Sequence, residues 1–456
     1  MHDSKVIQVG FGAADITADW PVGLQGLGTE ATRISTEIAS RIYIYCVAIT
    51  DSRNETVLIM TIDAGYGGFH EIIFPPIERE FGIPRDHMLL SALHQHSTPY
   101  GGERYEALLA SAGVAAVRQA LSDRAPATMY TNKVETRALS FVRNYIANDP
   151  AGSIVGDNYN DPIGREYGYK CHESDSDKEM RLIKFVREGG RKPIILVNFQ
   201  AHPHLGAFGA NLTVQHADWP GIMRDQVADA LNAHCVYISG AGGNLNSNSR
   251  IAEENLSTDW RHHGQRAADY VISAEESYRQ VDGGNIKIRV ATIGYPVDHS
   301  MDHLLDAANV INDLSLRDFG KARAQTQKYP EFSSIYHAQT VVEKAALPEN
   351  YDLTIGAFAI GDVAFTLHPY EMFDTNGMEL RGGTVGNPNY RADQQLENPF
   401  EMTFICTLSN GHMGYVPSLM SYRNGGYSTD IAYLIPGSGE RLVRDYLAIL
   451  NDLHSI

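Results

Sequence analysis

The pattern of apolar and polar positions predicts short strands and helices that alternate along the chain. In the first hundred residues, β-branched and apolar runs at residues 41–50 and 55–64 are separated by a polar turn cluster, which is typical of strands. An Ala- and Leu-rich run with helical spacing predicts a helix over residues 105–122. The pattern therefore favours an α/β protein with mixed β-sheets and flanking helices.

Later segments extend the same architecture. Residues 180–200 predict a hairpin, and a short strand further on ends in a Gly-rich turn at residues 240–244. Residues 144–178 are rich in Asn, Asp, Gly and Tyr without periodicity, so we expect a long ordered loop there. Because no repeat or linker divides the chain, we expect one domain over residues 1–456, in which residues 299–350 can form a helical subdomain.

Composition and net charge exclude several classes of function. Hydrophobic residues make up 43% of the chain, which is enough for a large core, and the formal net charge is −18. Such a charge repels nucleic acid and anionic membrane surfaces, and no apolar run is long enough for a transmembrane helix. We expect a small-molecule substrate and allow for a homo-oligomer. With no basic-then-apolar leader, a cytoplasmic location is expected, or secretion if the chain is a trimmed form.

The sharpest chemical signal is His94-Gln95-His96, which follows an apolar run over residues 88–93. If the strand continues through the motif, positions i and i+2 face the same side, and both imidazoles point into one cavity. Two such imidazoles suit zinc, or one zinc ligand beside one acid/base group. The motif alone is equally compatible with two hydrogen-bonded structural histidines.

Two further strand ends carry candidate ligands. His202 follows the apolar run at residues 194–200, and the next residue is a proline that cannot continue strand pairing. Glu371 follows another strand and a proline, which makes its carboxylate a candidate ligand. Asp63 closes a strand and can orient a ligand histidine or act as a cap. Asp218 suits the N-cap of the next helix. The alternative is that it contacts a metal ligand without binding the metal itself.

In their order, these segments resemble the neutral ceramidase family, zinc-dependent amidases that cleave the N-acyl bond of ceramide. The resemblance begins with Gly-Ala-Ala-Asp-Ile-Thr and includes the HxH motif and the later strand ends. The matching segments are residues 12–17, 94–101, 201–203, 217–218, 369–371 and 410–416. It implies a neutral-ceramidase-like catalytic domain. We expect no C-terminal immunoglobulin-like domain, because the chain ends soon after its last predicted helix.

The resemblance also implies a ligand set. The family's metal-binding positions fall on His94, His202, Glu371 and Tyr415, and they imply one Zn²⁺ per chain. Tyr415 would be a weak ligand that can leave the metal and donate to a developing oxyanion. His96 is then the residue expected to transfer a proton or stabilise the oxyanion.

Three positions bear on the substrate. The segment at residues 139–144 resembles the family segment that places an arginine in the site, so Arg143 is expected to hold a substrate carboxylate or stabilise an oxyanion. A surface salt bridge is the alternative. Asn246 stands where the family has a serine, and Tyr100 stands where it often has glycine. Both departures suggest that the substrate is not ceramide, and both residues are candidates for substrate binding.

Together these features predict a zinc-dependent hydrolase that cleaves an amide (N-acyl) or ester bond with metal-activated water. One alternative is a lyase or esterase that acts on a carbohydrate or another acidic small molecule with the same His, Tyr and Arg residues. A second alternative, suggested by Asn246, is a metal-stabilised binding protein without catalysis.

Overall fold

The computed structural model describes most of the chain. The described residues are 7–26, 33–155, 162–207, 212–247, 259–300, 304–313, 332, 335–382 and 397–456. No described helix is long and apolar enough to cross a bilayer.

The larger of the two main sheets has nine strands. They are β1 (Ile7–Asp15), β3 (Tyr43–Thr50), β4 (Thr56–Ile62), β5 (Met88–Ala92), β6 (Ala125–Glu135), β11 (Glu179–Arg187), β12 (Ile194–Phe199), β14 (His234–Ser239) and β16 (Arg279–Val281). The strand order is β14-β12-β11-β6-β1-β3-β4-β5, and β16 pairs with β6. Two pairs are parallel, β4 with β5 and β12 with β14, whereas the other pairs are antiparallel.

A four-stranded sheet packs face to face on the larger one. It consists of β17 (Ile286–Pro296), β18 (Asn350–Ile360), β19 (Val363–His368) and β21 (Met402–Thr407), in that order. Alternate side chains of both sheets fill the space between them, and Ile59, Leu196, Phe358 and Phe365 are fully buried there. The two facing apolar surfaces form the central core.

Helices cover the outer face of each sheet. The described helices are α1 (His70–Phe81), α2 (Glu103–Ser122), α3 (Pro162–Tyr167), α4 (Asp218–Leu231), α5 (Trp260–Ser273), α6 (Leu304–Asp313), α7 (Ile335–Ala346), α8 (Asp374–Leu380), α9 (Leu419–Asn424), α10 (Tyr427–Asp430) and α11 (Ser438–Ser455). Helices α1 and α2 cover the β1–β3 half of the large sheet, and α4 and α5 cover its β12–β14 half. Helix α11 covers the small sheet. The predicted α/β class with mixed sheets and flanking helices is confirmed. The two packed sheets and the helices on their outer faces form four layers.

The remaining described strands are short. They are β2 (Glu37–Ile38), β7 (Phe141–Val142), β8 (Tyr145–Ala147), β9 (Ile154–Val155), β10 (Tyr169–His172), β13 (Val214–Gln215), β15 (Leu245–Asn246), β20 (Glu371–Met372) and β22 (Tyr415–Val416). The predicted hairpin at residues 180–200 is present as the antiparallel pair β11 and β12.

The prediction of a long loop at residues 144–178 is wrong. The segment contains the three-stranded sheet β10-β8-β9 and helix α3, and residues 156–161 lie outside the described part. Tyr145, Ala147 and Val155 form a small buried cluster there. These strands are only two to four residues long, so they contribute too few alternating positions to be recognised from the sequence.

The segment at residues 299–350 is partly described. Helices α6 and α7 pack together around Ala307, Phe332, Ala338 and Val341. Residues 301–303, 314–331 and 333–334 lie outside the described part. One domain over residues 1–456, with a helical subdomain here, stays a prediction.

Two asparagines, the buried Asn198 and the half-buried Asn410, hydrogen-bond one sheet to the other. Asn198 of β12 donates to the carbonyl oxygen of Ile405 in β21 at 2.9 Å. Asn410, just after β21, donates to the carbonyl oxygen of Met88 and accepts from the backbone N–H of Leu90, both in β5. These bonds join β12 to β21, and the segment after β21 to β5. The segments that follow strands of both sheets therefore meet in one place.

Candidate metal centre

Three histidines converge at this meeting point. The Nε2 atoms of His94 and His96 are 3.4 Å apart, and those of His96 and His202 are 3.3 Å apart. One nitrogen from each ring lies within 4.8 Å of the others. His94 and His202 are buried, and His96 is partly buried. The three rings form a candidate metal site.

The spacing of these nitrogens fits zinc. Two nitrogens bound at about 2.0–2.1 Å to one tetrahedral zinc stand about 3.3–3.4 Å apart. Burial lowers the pKa of His96 and His202 well below the usual range, which favours their neutral form. Burial also opposes the charge of His94, but the carboxylate of Glu371 raises its pKa. Neutral imidazoles that face each other with Nε2 present lone pairs that a cation can satisfy.

The backbone around the HxH motif differs from the predicted extended strand. Strand β5 ends at Ala92, and His94 has a left-handed backbone with a φ of 63°. The carbonyl oxygen of Gly65 lies 2.7 Å from His94 Nδ1, which sets Nδ1 as the donor and leaves Nε2 for a ligand. The expected convergence of His94 and His96 is present, but a turn produces it rather than strand alternation.

Gln95, between the two histidines, anchors the motif. Its side-chain amide donates to Asp63 Oδ1 at 2.8 Å and to the carbonyl oxygen of Ala217 at 2.7 Å. Asp63 also forms a bidentate ion pair with Arg224, with both contacts at 2.9 Å. Asp63 therefore acts on the motif through Gln95, while the Gly65 carbonyl orients the ligand histidine.

We expect Asp63→Asn to destabilise the fold by about 3–5 kcal/mol, because it leaves the charge of Arg224 buried without a partner. Urea denaturation measures this as a lower transition midpoint at unchanged slope. The matched control is Asp225→Asn, an exposed carboxylate next to Arg224 in sequence, with an expected change within about 0.5 kcal/mol. Equal midpoints for the two variants would contradict this anchoring role.

A glycine is required where the chain crosses His96. Gly26 has a φ of 97°, and a Cβ at this position would overlap the His96 ring. The Arg33 guanidinium donates to the His96 carbonyl oxygen at 2.9 Å. Gly26 thus packs directly on the candidate site, a contact that the sequence pattern does not reveal.

The His202 loop is held by two side chains. Ser247 Oγ donates to the carbonyl oxygen of His202 at 2.6 Å. Asp218 accepts from the backbone N–H groups of Gly206 and Trp219 at 2.8 and 2.7 Å. Asp218 is the first residue of α4, with a φ of 48°, so it is not the predicted N-cap. It ties the helix to the loop that follows His202.

Glu371 and Tyr415 enter the site as a pair. They lie opposite each other in the parallel pairing of β20 with β22, and both are buried. Glu371 Oε2 is 3.2 Å from His94 Nε2, and no described group donates a hydrogen bond of good geometry to that buried oxygen. Burial raises the pKa of Tyr415 well above the usual range, and the charge of Glu371 adds to the effect. A carboxylate oxygen in this position suits a metal ligand.

Arg143 lies on the Tyr415 side of the cluster. Its guanidinium stacks on the rings of Tyr415 and Tyr427, at 5.1 and 5.5 Å from their centroids, and donates to Ser428 Oγ. Burial opposes the charge of Arg143, but its interactions with Tyr415, Glu371 and Tyr427 together raise its pKa. The surface salt bridge considered as an alternative is absent among the described carboxylates.

The two remaining candidates occupy different parts of the site. Asn246 is buried in β15, which pairs with β7 immediately before Arg143. Tyr100 is 51% exposed, and its ring meets that of Tyr66 edge-on at 6.5 Å. Asn246 therefore lies deep beside the arginine, whereas Tyr100 lies at the surface.

Sequence reasoning missed four side chains around the cluster. The ring of Tyr66 lies 6.5 Å from that of His94 and 4.7 Å from that of His412. The ring of His204 lies 4.7 Å from that of His202, and Tyr427 packs on Arg143. Of these, only His204 has a sequence signal, since it repeats the HxH spacing with His202.

The comparisons agree with the geometry at the level of the fold. No protein-family model and no curated relative matches the sequence. The crystal structure of neutral ceramidase from Pseudomonas aeruginosa matches with a TM-score of 0.72 at 16% identity, covering 98% of this chain and 74% of that one. A structure described as ceramidase complexed with C2 matches with the same TM-score and identity, covering 99% and 76%. The chain therefore has the fold of neutral ceramidase, with a buried three-histidine candidate metal site.

Proposed function

We propose that the chain is a zinc-dependent hydrolase that cleaves an amide (N-acyl) or ester bond. The observation that carries the proposal is the convergence of three imidazole Nε2 atoms, two pairs of which stand 3.3 and 3.4 Å apart, beside a buried carboxylate. Histidine nitrogens with one carboxylate are one of the donor sets that hold catalytic zinc. The neutral ceramidase fold supports the same assignment.

In this proposal His94, His202, Glu371 and Tyr415 hold one Zn²⁺. Bound zinc supplies Lewis-acid polarisation and an activated water. His96 has its Nε2 beside both ligand histidines, and its buried Nδ1 has no hydrogen-bond partner among the described residues. It is therefore placed to accept a proton from the attacking water, or to serve as a further ligand.

The other side chains stabilise charge and select the substrate. The protonated phenol of Tyr415 can donate to the oxyanion that forms when the carbonyl is attacked. Asn246 cannot act as a nucleophile, so the proposal uses direct attack by water without an acyl-enzyme at that position. Tyr100 contacts the substrate at the surface of the site, and Arg143 contacts it in the interior.

The experiment is metal removal and restoration. Dialysis against a chelator should abolish turnover of a panel of N-acyl amides and esters, and stoichiometric Zn²⁺ should restore it. Products are identified by mass spectrometry: hydrolysis gives an acid with an amine or alcohol, whereas elimination gives an ultraviolet-absorbing double bond. Absence of turnover across the panel in zinc-loaded protein would contradict the proposal and favour a binding protein.

A further inference from the structure

We propose that three aromatic side chains beside the metal centre bind a planar ring of the substrate, so that preferred substrates carry an aromatic group close to the scissile bond. These side chains, Tyr66, Tyr100 and His412, are called the aromatic wall. The inference rests on the proposed hydrolase function and names its class of substrate. It is carried by the contacts between the rings, by their exposure and by the anchored backbone of Tyr100.

The aromatic wall extends from a proposed metal ligand to the protein surface. The ring of Tyr66 lies 6.5 Å from that of His94 and at the same distance from that of Tyr100, measured between centroids. The ring of His412 packs on Tyr66 at 4.7 Å, and His412 also interacts electrostatically with Glu371. A group attached to a carbonyl at the metal centre can therefore reach the wall through a few bonds.

The aromatic wall is open to solvent at its outer end. Tyr100 is 51% exposed, His412 is exposed and Tyr66 is partly buried. Single exposed apolar side chains are common on protein surfaces, but here three adjacent rings meet beside a metal ligand. Each ring offers a large apolar area that a ligand can cover. The fold leaves part of this area uncovered, so a substrate can bury it.

The backbone of Tyr100 is anchored although its side chain is exposed. Its N–H donates to the carbonyl oxygen of Gly23 at 2.8 Å, and its carbonyl oxygen accepts from the side-chain amide of Gln25 at 3.2 Å. Gln25 itself is fully buried. Because the backbone is already held, the ring loses little freedom when a ligand covers it, and Tyr100 is preorganised for binding.

The angle between the two tyrosine rings favours a planar ligand. The planes of Tyr66 and Tyr100 stand at 88° to each other, so a third ring parallel to one of them is perpendicular to the other. Such a ring can stack on one tyrosine and meet the other edge to face, and aromatic pairs prefer these two arrangements. A long alkyl chain has no plane to match and loses rotational freedom on binding. An aromatic group is therefore the substituent that fits the wall best.

The test compares matched pairs of amides in the zinc-loaded full chain. On the acyl side, N-butylphenylacetamide is compared with N-butylcyclohexylacetamide. On the amine side, N-benzylbutanamide is compared with N-(cyclohexylmethyl)butanamide. Each cyclohexyl compound has the same carbon skeleton as its partner but no aromatic ring. We expect wild-type kcat/KM to favour the aromatic compound in at least one pair by about 3- to 10-fold, as expected for aromatic contacts beyond the area that they bury.

Variants then assign the preference to the aromatic wall. Tyr100→Leu should bring the two kcat/KM values of the preferred pair close together, whereas Tyr100→Phe should keep them apart. The matched control is Tyr167→Leu, which removes a 45% exposed tyrosine from α3 and should leave the preference intact. Any difference in intrinsic reactivity within a pair stays the same in every variant. Zinc content and melting temperature report whether each variant is folded and metal-loaded.

Two results would overturn the inference while the hydrolase function stands. One is a wild-type kcat/KM that favours the aromatic compound in neither pair. The other is an aromatic preference that Tyr100→Leu leaves unchanged, since the preference then arises elsewhere or from intrinsic reactivity.

If the wild type turns over none of these amides or any other amide or ester, the hydrolase function fails, and ligand binding decides the inference. Saturation-transfer NMR with N-butylphenylacetamide and N-benzylbutanamide measures contact between the protein and the ring protons. Transfer to these protons that Tyr100→Leu removes and Tyr167→Leu retains supports the inference. Equal transfer in both variants, or no transfer to the wild type's ligands, overturns it.

Discussion

Replacing His94 with alanine is expected to abolish zinc retention and turnover. His94 donates a hydrogen bond through Nδ1 to the Gly65 carbonyl, and its Nε2 lies beside His96 and Glu371. Alanine at this position therefore removes the nitrogen that lies between these two side chains. Loss of an outer-shell partner costs about 10- to 100-fold in metal affinity or activity, and loss of a ligand should exceed that. Elemental analysis of dialysed protein should fall from about one zinc per chain to near zero.

The control for this variant is His87→Ala. His87 lies just before β5 and contacts Glu55 and Asp86 away from the cluster, so zinc content should not change. Full zinc content in His94→Ala would defeat the ligand assignment. His96→Ala, measured in parallel, separates the two roles of that residue: lost zinc identifies a ligand, and retained zinc with a low kcat identifies a proton-transfer group.

Replacing Tyr415 with phenylalanine is expected to lower kcat by about 10²–10³ while KM changes little. The buried phenol lies opposite Glu371 and keeps its proton, because burial raises its pKa well above the usual range. Its hydroxyl is therefore available as an oxyanion donor, and the benzene ring of phenylalanine preserves the stacking on Arg143. Steady-state kinetics on an amide substrate of the wild type measures the effect.

Tyr427→Phe is the matched control, since Tyr427 stacks on the same arginine at 5.5 Å but has no counterpart opposite Glu371. We expect a much smaller loss of kcat in this variant. Zinc should be largely retained in Tyr415→Phe, because the histidines and Glu371 remain. Equal kcat values for wild type and Tyr415→Phe would exclude the oxyanion role.

Much of the fold was predictable because its strands are long and apolar. The hairpin of β11 and β12 and the strand β5 before the HxH motif follow from their apolar runs. Helix α1 was not predicted, because Pro75 and Pro76 lie inside it and argue against a helix. The short strands at residues 144–178 depend on tertiary pairing, which a local pattern does not encode.

In the candidate site too, some residues could be predicted from the sequence and others could not. His94, His202 and Glu371 could be named because they follow strands and because the ordered segments resemble a known family. The turn that brings His94 and His96 together could not be predicted, since a positive φ at a histidine has no sequence signature. Contacts from distant segments, such as Gly26 on His96 and Tyr427 on Arg143, depend on how both sheets and their loops pack.

A crystal structure of the zinc-loaded protein, with data collected at the zinc absorption edge, tests the central claim most directly. The account predicts one anomalous peak per chain within about 2.0–2.2 Å of His94 Nε2, His202 Nε2 and a Glu371 oxygen. The same map shows whether Tyr415 or His96 completes the coordination. An anomalous peak at another place in the chain, or none between these residues, would contradict the account.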